Sequence, residues 1–312
     1  MAKKKKVIIP LLIVFALIIA GLFVAYKAYN YAYAPNVTAN SDTYIYIPTG
    51  TDYNGLLEIL KSTGNVNDME SFEKVADFKK LDQKVLPGKY KLENGMSNNE
   101  LVNMLRSGRQ TPVKVTFISL RTLDILAGKA ATNIEADSAD IVVLLKDEET
   151  AKKYGFNKQT FCSMFIPNTY EFWWNTSAEE FVQRMADEYK KFWNDDRKAK
   201  ANALGLSQSQ VSTLASIVES ETQKNDEKAR IAGVYINRLK KDWLLQADPT
   251  VVFAADDFTI KRILNKHLEI VRTPWQKGTC RKIQKIVRGN KSRNKQMIYV
   301  SWQQQPNGII SD

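Results

Sequence analysis

LASIVESET (214–222), IAGVYINRL (231–239) and LQADPTVVF (245–253) decide how this chain reads. Ser207-x-x-Gln210 precedes the first and has the form of a helix start, because a Ser hydroxyl and a Gln amide oxygen can each accept from the other's backbone N–H at the first turn. Val211, Leu214, Ile217, Val218 and Glu221 then recur at helical spacing. A further helix is expected over 228–241, carrying Ile231, Val234, Tyr235 and Leu239 inward. Glu219 follows Ile217 and Val218 and sits about 100° round the helix from Val218, at the margin of the apolar stripe. A carboxyl there can be partly desolvated and so suited to general acid catalysis. The plainer alternative is a solvated flank or an ion-pair partner.

Upstream, 43–48 (TYIYIP) reads as a strand and 53–60 as a short helix. LPGKYKL (86–92) is a turn entering a strand, Ser97-x-x-Glu100 opens a helix, and 113–117 alternates like a strand. Residues 118–160 are mixed in pattern. Phe181, Met185, Tyr189, Phe192 and Trp193 form a stripe on a helix that starts near Thr176 or Ser177. The fold class expected is α+β.

At the N-terminus, VIIPLLIVFALIIAGLFVAY (7–26) has no charge, and 20 helical residues span about 30 Å, the thickness of a bilayer core. Lys3, Lys4, Lys5 and Lys6 precede it and Tyr26, Tyr29, Tyr31 and Tyr33 follow, which fits a cytoplasmic N-terminus and an aromatic belt at the far interface. Ala32-Tyr33-Ala34 resembles a signal-peptidase site, but the apolar run is longer than a signal peptide needs and Pro35 follows directly. A retained single-pass helix is therefore expected, with the bilayer as a partner and everything beyond about residue 40 outside the cytoplasm.

The net charge is +11, of which Lys3–Lys6 supply +4 and residues 270–312 supply +8, so 7–269 is left with −1. The body shows no basic face, and nucleic acid is not expected as a partner. One histidine (His267) and two cysteines argue against a metal centre, and no Gly-rich phosphate loop is present, so neither metal nor cofactor is expected.

In its motifs, ASIVESET, INRL, QADPTV, FIPNTYEFWWNTS (165–177), LPGKYKL and MSNNELVNML (96–105), the chain resembles the YceG-like family of endolytic murein transglycosylases, MltG. The resemblance covers about 1–269. It implies a basic segment 1–6, a transmembrane helix 7–26, a linker 27–42, a LysM-like module 43–117 and a catalytic YceG-like domain 118–269. It also implies an activity: cleavage of nascent peptidoglycan strands between N-acetylmuramic acid and N-acetylglucosamine, leaving 1,6-anhydro ends and terminating strand elongation beside the cell-wall synthesis machinery of a bacterial cytoplasmic membrane. The family's catalytic glutamate falls on Glu219. Substrate-contacting roles are implied for Gln246, Asp248 and Thr250, with Glu221, Asn237 and Tyr170 as further candidates. For these the plainer readings are a structural carboxylate at Glu221, turn chemistry at Asp248-Pro249-Thr250, a helix-surface amide at Asn237, and core packing at Tyr170.

After Glu269 the resemblance stops. The family's Ser-Pro-Tyr-Asn-Thr-Tyr and Gly-Leu-Pro-Pro-Gly-Pro-Ile segments are absent, and a basic tail, 270–312, stands instead. A near-neutral chain gaining +8 at that point is what a shifted reading frame produces, and the catalytic domain is expected to be incomplete at its C-terminus. The rival expectation is therefore a catalytically silent, membrane-tethered peptidoglycan-binding or scaffold protein.

Overall fold

The computed structural model describes residues 2–118, 122–243, 245–255, 257, 259–260 and 262–264; His267 and the tail 270–312 lie outside them. The fold is mixed, 59% helical and 9% strand, as an α+β chain should be. It forms two compact units. The first comprises Met1–Ile118, Leu126–Ile141 and Asn168–Ala178, and the second the other described residues.

In the first unit, helix α1 (Ala2–Tyr33) contains the whole charge-free run. Its stretch Ile13–Tyr33 has a mean hydropathy of 1.8 and buries nothing, so the helix is long and apolar enough to cross a membrane. The helix continues through much of the expected linker. Beyond it Pro35 bridges to Ser97 and Val37 to Val66, so 27–42 is docked onto the module. Asn36 is the pin. Its Nδ2 donates to Asp68 O (2.8 Å) and Asn98 Oδ1 (2.7 Å), and its Oδ1 accepts from the Asp68 N–H (2.7 Å). Asn98 Nδ2 in turn donates to Tyr31 O on α1 (2.9 Å) and to Ser71 Oγ (2.9 Å). Asn36, Ser71 and Asn98 are all buried, and partners this complete are what make buried amides tolerable.

Strands β1 (Tyr44–Ile47) and β2 (Gly88–Lys91) pair antiparallel, with α2 (Tyr53–Thr63) and α3 (Met69–Phe78) between them in sequence. Alternation turns Ile45, Ile47 and Tyr90 into a core with Leu56, Leu60, Phe72 and Leu101, and leaves Tyr44, Tyr46, Lys89 and Lys91 on the other face. Gly88 is obligatory in LPGKYKL: its φ is 145°, and a Cβ there would lie 2.1 Å from Gln110 Cδ. Helix α4 (Asn98–Ser107) carries the expected capping box, with the Ser97 N–H donating to Glu100 Oε2 (2.8 Å) and the Glu100 N–H to Ser97 Oγ (3.3 Å).

Strand β3 (Val113–Phe117) does not join that sheet. It was expected within the small module, but it pairs antiparallel with β4 (Asn168–Phe172), from Val113 opposite Phe172 to Phe117 opposite Asn168. Its partner lies some fifty residues on, beyond α5 (Leu123–Ala131), α6 (Ser138–Lys146) and α7 (Glu148–Lys153), a separation that local pattern cannot reveal.

The second unit is helical: α8 (Ala178–Phe192), α9 (Asp195–Ala203), α10 (Gln208–Glu221), α11 (Asn225–Lys240) and α12 (Asp248–Ala255). The α8 stripe is as expected, with Phe181, Met185, Tyr189 and Trp193 buried. Ser207 and Gln210 form a capping box at the start of α10 (Ser207 N–H to Gln210 Oε1, 2.6 Å). On α11 only part of the inward stripe is buried: Tyr235 is 6% exposed, whereas Val234 is 47% exposed.

Candidate active site

The three segments that opened the sequence lie on α10, α11 and α12, and α10 packs against both of the others. Val211, Leu214, Ile217 and Val218 are buried, which seats α10 and brings Glu219 and Glu221 to its last turn. Thr222 ends the helix in an extended conformation. Its Oγ1 donates to Glu227 Oε2 (2.9 Å) and accepts from the Lys224 N–H (3.1 Å), so the turn into α11 is fixed at both ends. Asp226 and Glu227 occupy the first turn of α11, where the helix dipole favours negative charge.

Lys228 stands one residue further on and reaches back to Glu219, with Nζ 2.5 Å from Oε2. The Glu219 side chain is 51% exposed and that of Lys228 17%. Of the two environments open to Glu219 from its place on the helix, the plainer one is observed: it sits at the apolar margin, half exposed, as an ion-pair partner. Two residues on, Glu221 faces a different group. Tyr235 is buried on α11, and that burial, reinforced by the Glu221 charge, pushes its hydroxyl up to about 12. The Asp248 charge acts on the same hydroxyl in the same direction.

Arg238, inside INRL, links α11 to the next segment. Its guanidinium lies 6.0 Å from the Tyr235 ring centroid, and its Nη1 donates to Leu245 O. Leu245 and Ala247 are both 1% exposed, and between them Gln246 is exposed with φ 51°, a left-handed conformation that costs a side-chain-bearing residue about 1 kcal/mol. Asp248 opens α12, Pro249 follows in its first turn, where a missing N–H costs least, and Thr250 Oγ1 donates to Ala247 O (2.6 Å). This is the local chemistry of a helix start. Asn237 is exposed on α11.

Tyr170 lies on β4 in the first unit, 6% exposed, with its ring 5.5 Å from that of Phe117; with Phe172 it faces the core, which is the packing alternative of its two readings. Lys228, Tyr235 and Arg238 are the polar partners that the sequence reading left out. Arg238 was visible inside INRL, whereas Lys228 stood where the third helix was expected to begin, and nothing in its spacing aims it at Glu219. Among the described residues, no three His, Cys, Asp or Glu side chains gather as a metal site would need.

Helix α10, packed against α11 and α12, thus ends on a carboxylate, Glu219, with the Lys228 ammonium beside it, in a mixed chain with an apolar N-terminal helix. The chain belongs to the YceG-like family, whose model matches residues 45–279, ten residues past the point where the resemblance was expected to end. It is 27% identical over 244 residues to the endolytic murein transglycosylase of Bacillus subtilis (strain 168), covering 72% of this chain and 66% of that protein. With the endolytic murein transglycosylase of Streptococcus pneumoniae (strain ATCC BAA-255 / R6) it shares 25% identity over 287 residues, 80% of this chain and 50% of the relative. The chain thus spans between half and two thirds of the length of these curated relatives. A crystal structure of a YceG-like protein from Listeria monocytogenes aligns with 80% of this chain and 91% of its own, at 22% identity and a TM-score of 0.46.

Proposed function

We propose that this chain is an endolytic lytic transglycosylase acting on peptidoglycan strands between N-acetylmuramic acid and N-acetylglucosamine. Glu219 gives its proton to the glycosidic oxygen as the C1–O bond breaks. Its carboxylate then takes the proton of the muramic C6 hydroxyl, whose oxygen attacks C1 and closes a 1,6-anhydro ring. One C–O bond breaks, one forms, the proton is returned, and no water is consumed, so a single carboxylate serves where ordinary glycosidases use two. Lys228 stands beside the carboxylate form that acts in the second half, and the acid form of the first half requires the glycan to part that pair. Gln246, Asp248, Thr250 and Asn237 contact the strand, and Glu221 acts through Tyr235 to hold α10 against α11. The observation that carries the reading is the convergence of the three motif segments on packed helices with Glu219 at the helix end.

Helix α1 anchors the chain in a cytoplasmic membrane with Lys3–Lys6 inside, and the β1–α2–α3–β2 unit is a LysM-like module on the outer side. Wall-synthesis enzymes are its natural neighbours there. One observation favours a second reading, a silent peptidoglycan-binding scaffold: Glu219 is half exposed and already paired.

Mass spectrometry of uncrosslinked peptidoglycan strands incubated with the full chain in detergent decides between them. New 1,6-anhydro ends that vanish in Glu219→Gln are expected. Binding by a folded protein without new ends overturns the enzyme and leaves the scaffold.

A further inference from the structure

An open polar cavity, of about 380 Å3, lies within the first unit on the face of the β1–β2 sheet turned away from its helical core. Tyr46 and Lys89 are direct cross-strand partners on that face. The remaining walls come from Val113 at the start of β3, Thr132 and Asn133 in the turn after α5, and Trp174 just past β4. Five separate stretches of chain therefore converge on it.

Specific bonds hold these walls apart and in place. The Glu135 N–H donates to Trp174 O (2.6 Å), while its carboxylate accepts from the Thr49 N–H (2.7 Å) and Thr49 Oγ1 (2.6 Å) at the end of β1. On the other side the Thr111 N–H donates to Lys89 O (2.7 Å). The Tyr46 and Trp174 rings meet edge to face, centroids 5.1 Å apart at 64°, so the two ring planes form a corner. Tyr46 remains 43% exposed. Lys89 Nζ is held 4.0 Å from the Tyr44 ring centroid and 5.7 Å from that of Tyr46, which fixes an ammonium at the rim. Asn133 Nδ2 is spent on Lys129 O and Thr132 Oγ1, which leaves its amide oxygen to accept from a ligand.

We propose that this cavity is a glycan-holding subsite that takes one pyranose ring of a strand, with the aromatic corner against the sugar's apolar C–H face and Lys89 and Asn133 on its hydroxyl and acidic substituents. A hexopyranose has one apolar face and a polar rim, and a cavity of this size with an aromatic corner and a few fixed polar groups suits it. The fixed ammonium makes a carboxyl-bearing sugar the preferred occupant over a neutral one. The inference rests on the glycan reading above but not on Glu219. It gives the chain a grip on the strand separate from the residues that cut it.

The test is equilibrium binding of two probes to the full chain in detergent, carried in a Glu219→Gln background so that no probe is consumed. One probe is peptide-stripped peptidoglycan strands with free lactyl carboxylates, and the other is chitopentaose, which has none. Tyr46→Ser and Trp174→Leu are expected to weaken strand binding roughly tenfold each, the scale of one lost ring contact with its buried area. Lys89→Gln is expected to narrow the difference between the two probes. Tyr46 is a surface strand residue, and thermal melting identifies any variant that has lost its fold. Wild-type affinity in folded Tyr46→Ser and Trp174→Leu overturns the subsite while leaving the glycan reading intact. Failure of the parent chain to bind either probe overturns both together.

Discussion

The two units solve the problem of polar residues in opposite ways. Around Asn36, Ser71 and Asn98 the first unit buries its amides and a hydroxyl and gives them partners, fastening α1 to α3 and α4. Around Glu219 the second unit keeps a half-exposed carboxylate beside a mostly buried ammonium, Lys228, and sets Arg238 on a backbone carbonyl. A buried network has one arrangement and is costly to disturb. A pair with its carboxylate half in solvent is cheaper to open, which is what a site that must admit a polymer requires. The contrast separates residues kept for architecture from residues available for chemistry.

It can be broken first where the expected effect is largest. Asn98→Ala removes one of the acceptors of the buried Asn36 amide and the donor to Ser71 Oγ and to half-buried Tyr31 O, and a buried group left without its partner costs about 1–3 kcal/mol, so a loss of about 3 kcal/mol in unfolding free energy by urea titration is expected. A loss below about 1 kcal/mol would mean that the junction of α1 with the module is solvated and the contrast false. Tyr235→Phe comes next, at about 1 kcal/mol, because it removes a buried hydroxyl near the Glu221 charge while Glu221 keeps access to water. Its pH dependence has a definite sign. The folded-state hydroxyl is raised above its ordinary value of 10 to about 12, so the native state keeps its proton while the unfolded chain loses it. That contribution is complete below about pH 10 and is lost as pH rises toward 12. Alkaline melts should show a smaller decline between those values in Tyr235→Phe than in the parent; equal declines would remove Tyr235 from the cluster.

Lys228→Gln sharpens the comparison from the other side. Its partner is half exposed, so the pair should contribute less than about 1 kcal/mol, and melting should move little. Production of 1,6-anhydro ends should nevertheless change by more than that stability cost can account for. Unchanged turnover would leave the pair as surface decoration.

What could be read in the sequence follows the same division. The helix starts at Ser97 and Ser207 and the stripe from Phe181 to Trp193 were legible because they depend on neighbours three or four residues away. The partner of β3 was not, since β4 lies beyond three helices, and the docking of 27–42 turns on Asn36 meeting residues 32 and 62 positions away. Glu219 was legible as a residue through its motif, and its place at the apolar margin left two environments open, of which the half-exposed ion pair is the one observed. A helical wheel gives the direction of a side chain and says nothing of Lys228 arriving from the next helix. Tyr170 was left between core packing and a sugar contact, and its burial together with Phe172 depends on the pairing of β4 with β3, which local pattern does not show.

Gln246 offers the smallest effect and the cleanest separation of backbone from side chain. It holds φ at 51° between two buried neighbours, with its own side chain exposed. Replacement by Gly removes about 1 kcal/mol of left-handed strain and adds a comparable entropy to the unfolded chain, so Gln246→Gly should leave stability within about 0.5 kcal/mol of the parent. If the amide contacts the strand, anhydro-end formation should fall severalfold in that variant despite its unchanged melting. Parent-like activity would make Gln246 a turn residue alone, and the polar contacts of the site would then have to come from Asp248, Thr250 and Asn237. The strained conformation acquires a functional reason only if the side chain it displays is used, because a glycine would serve the turn equally well.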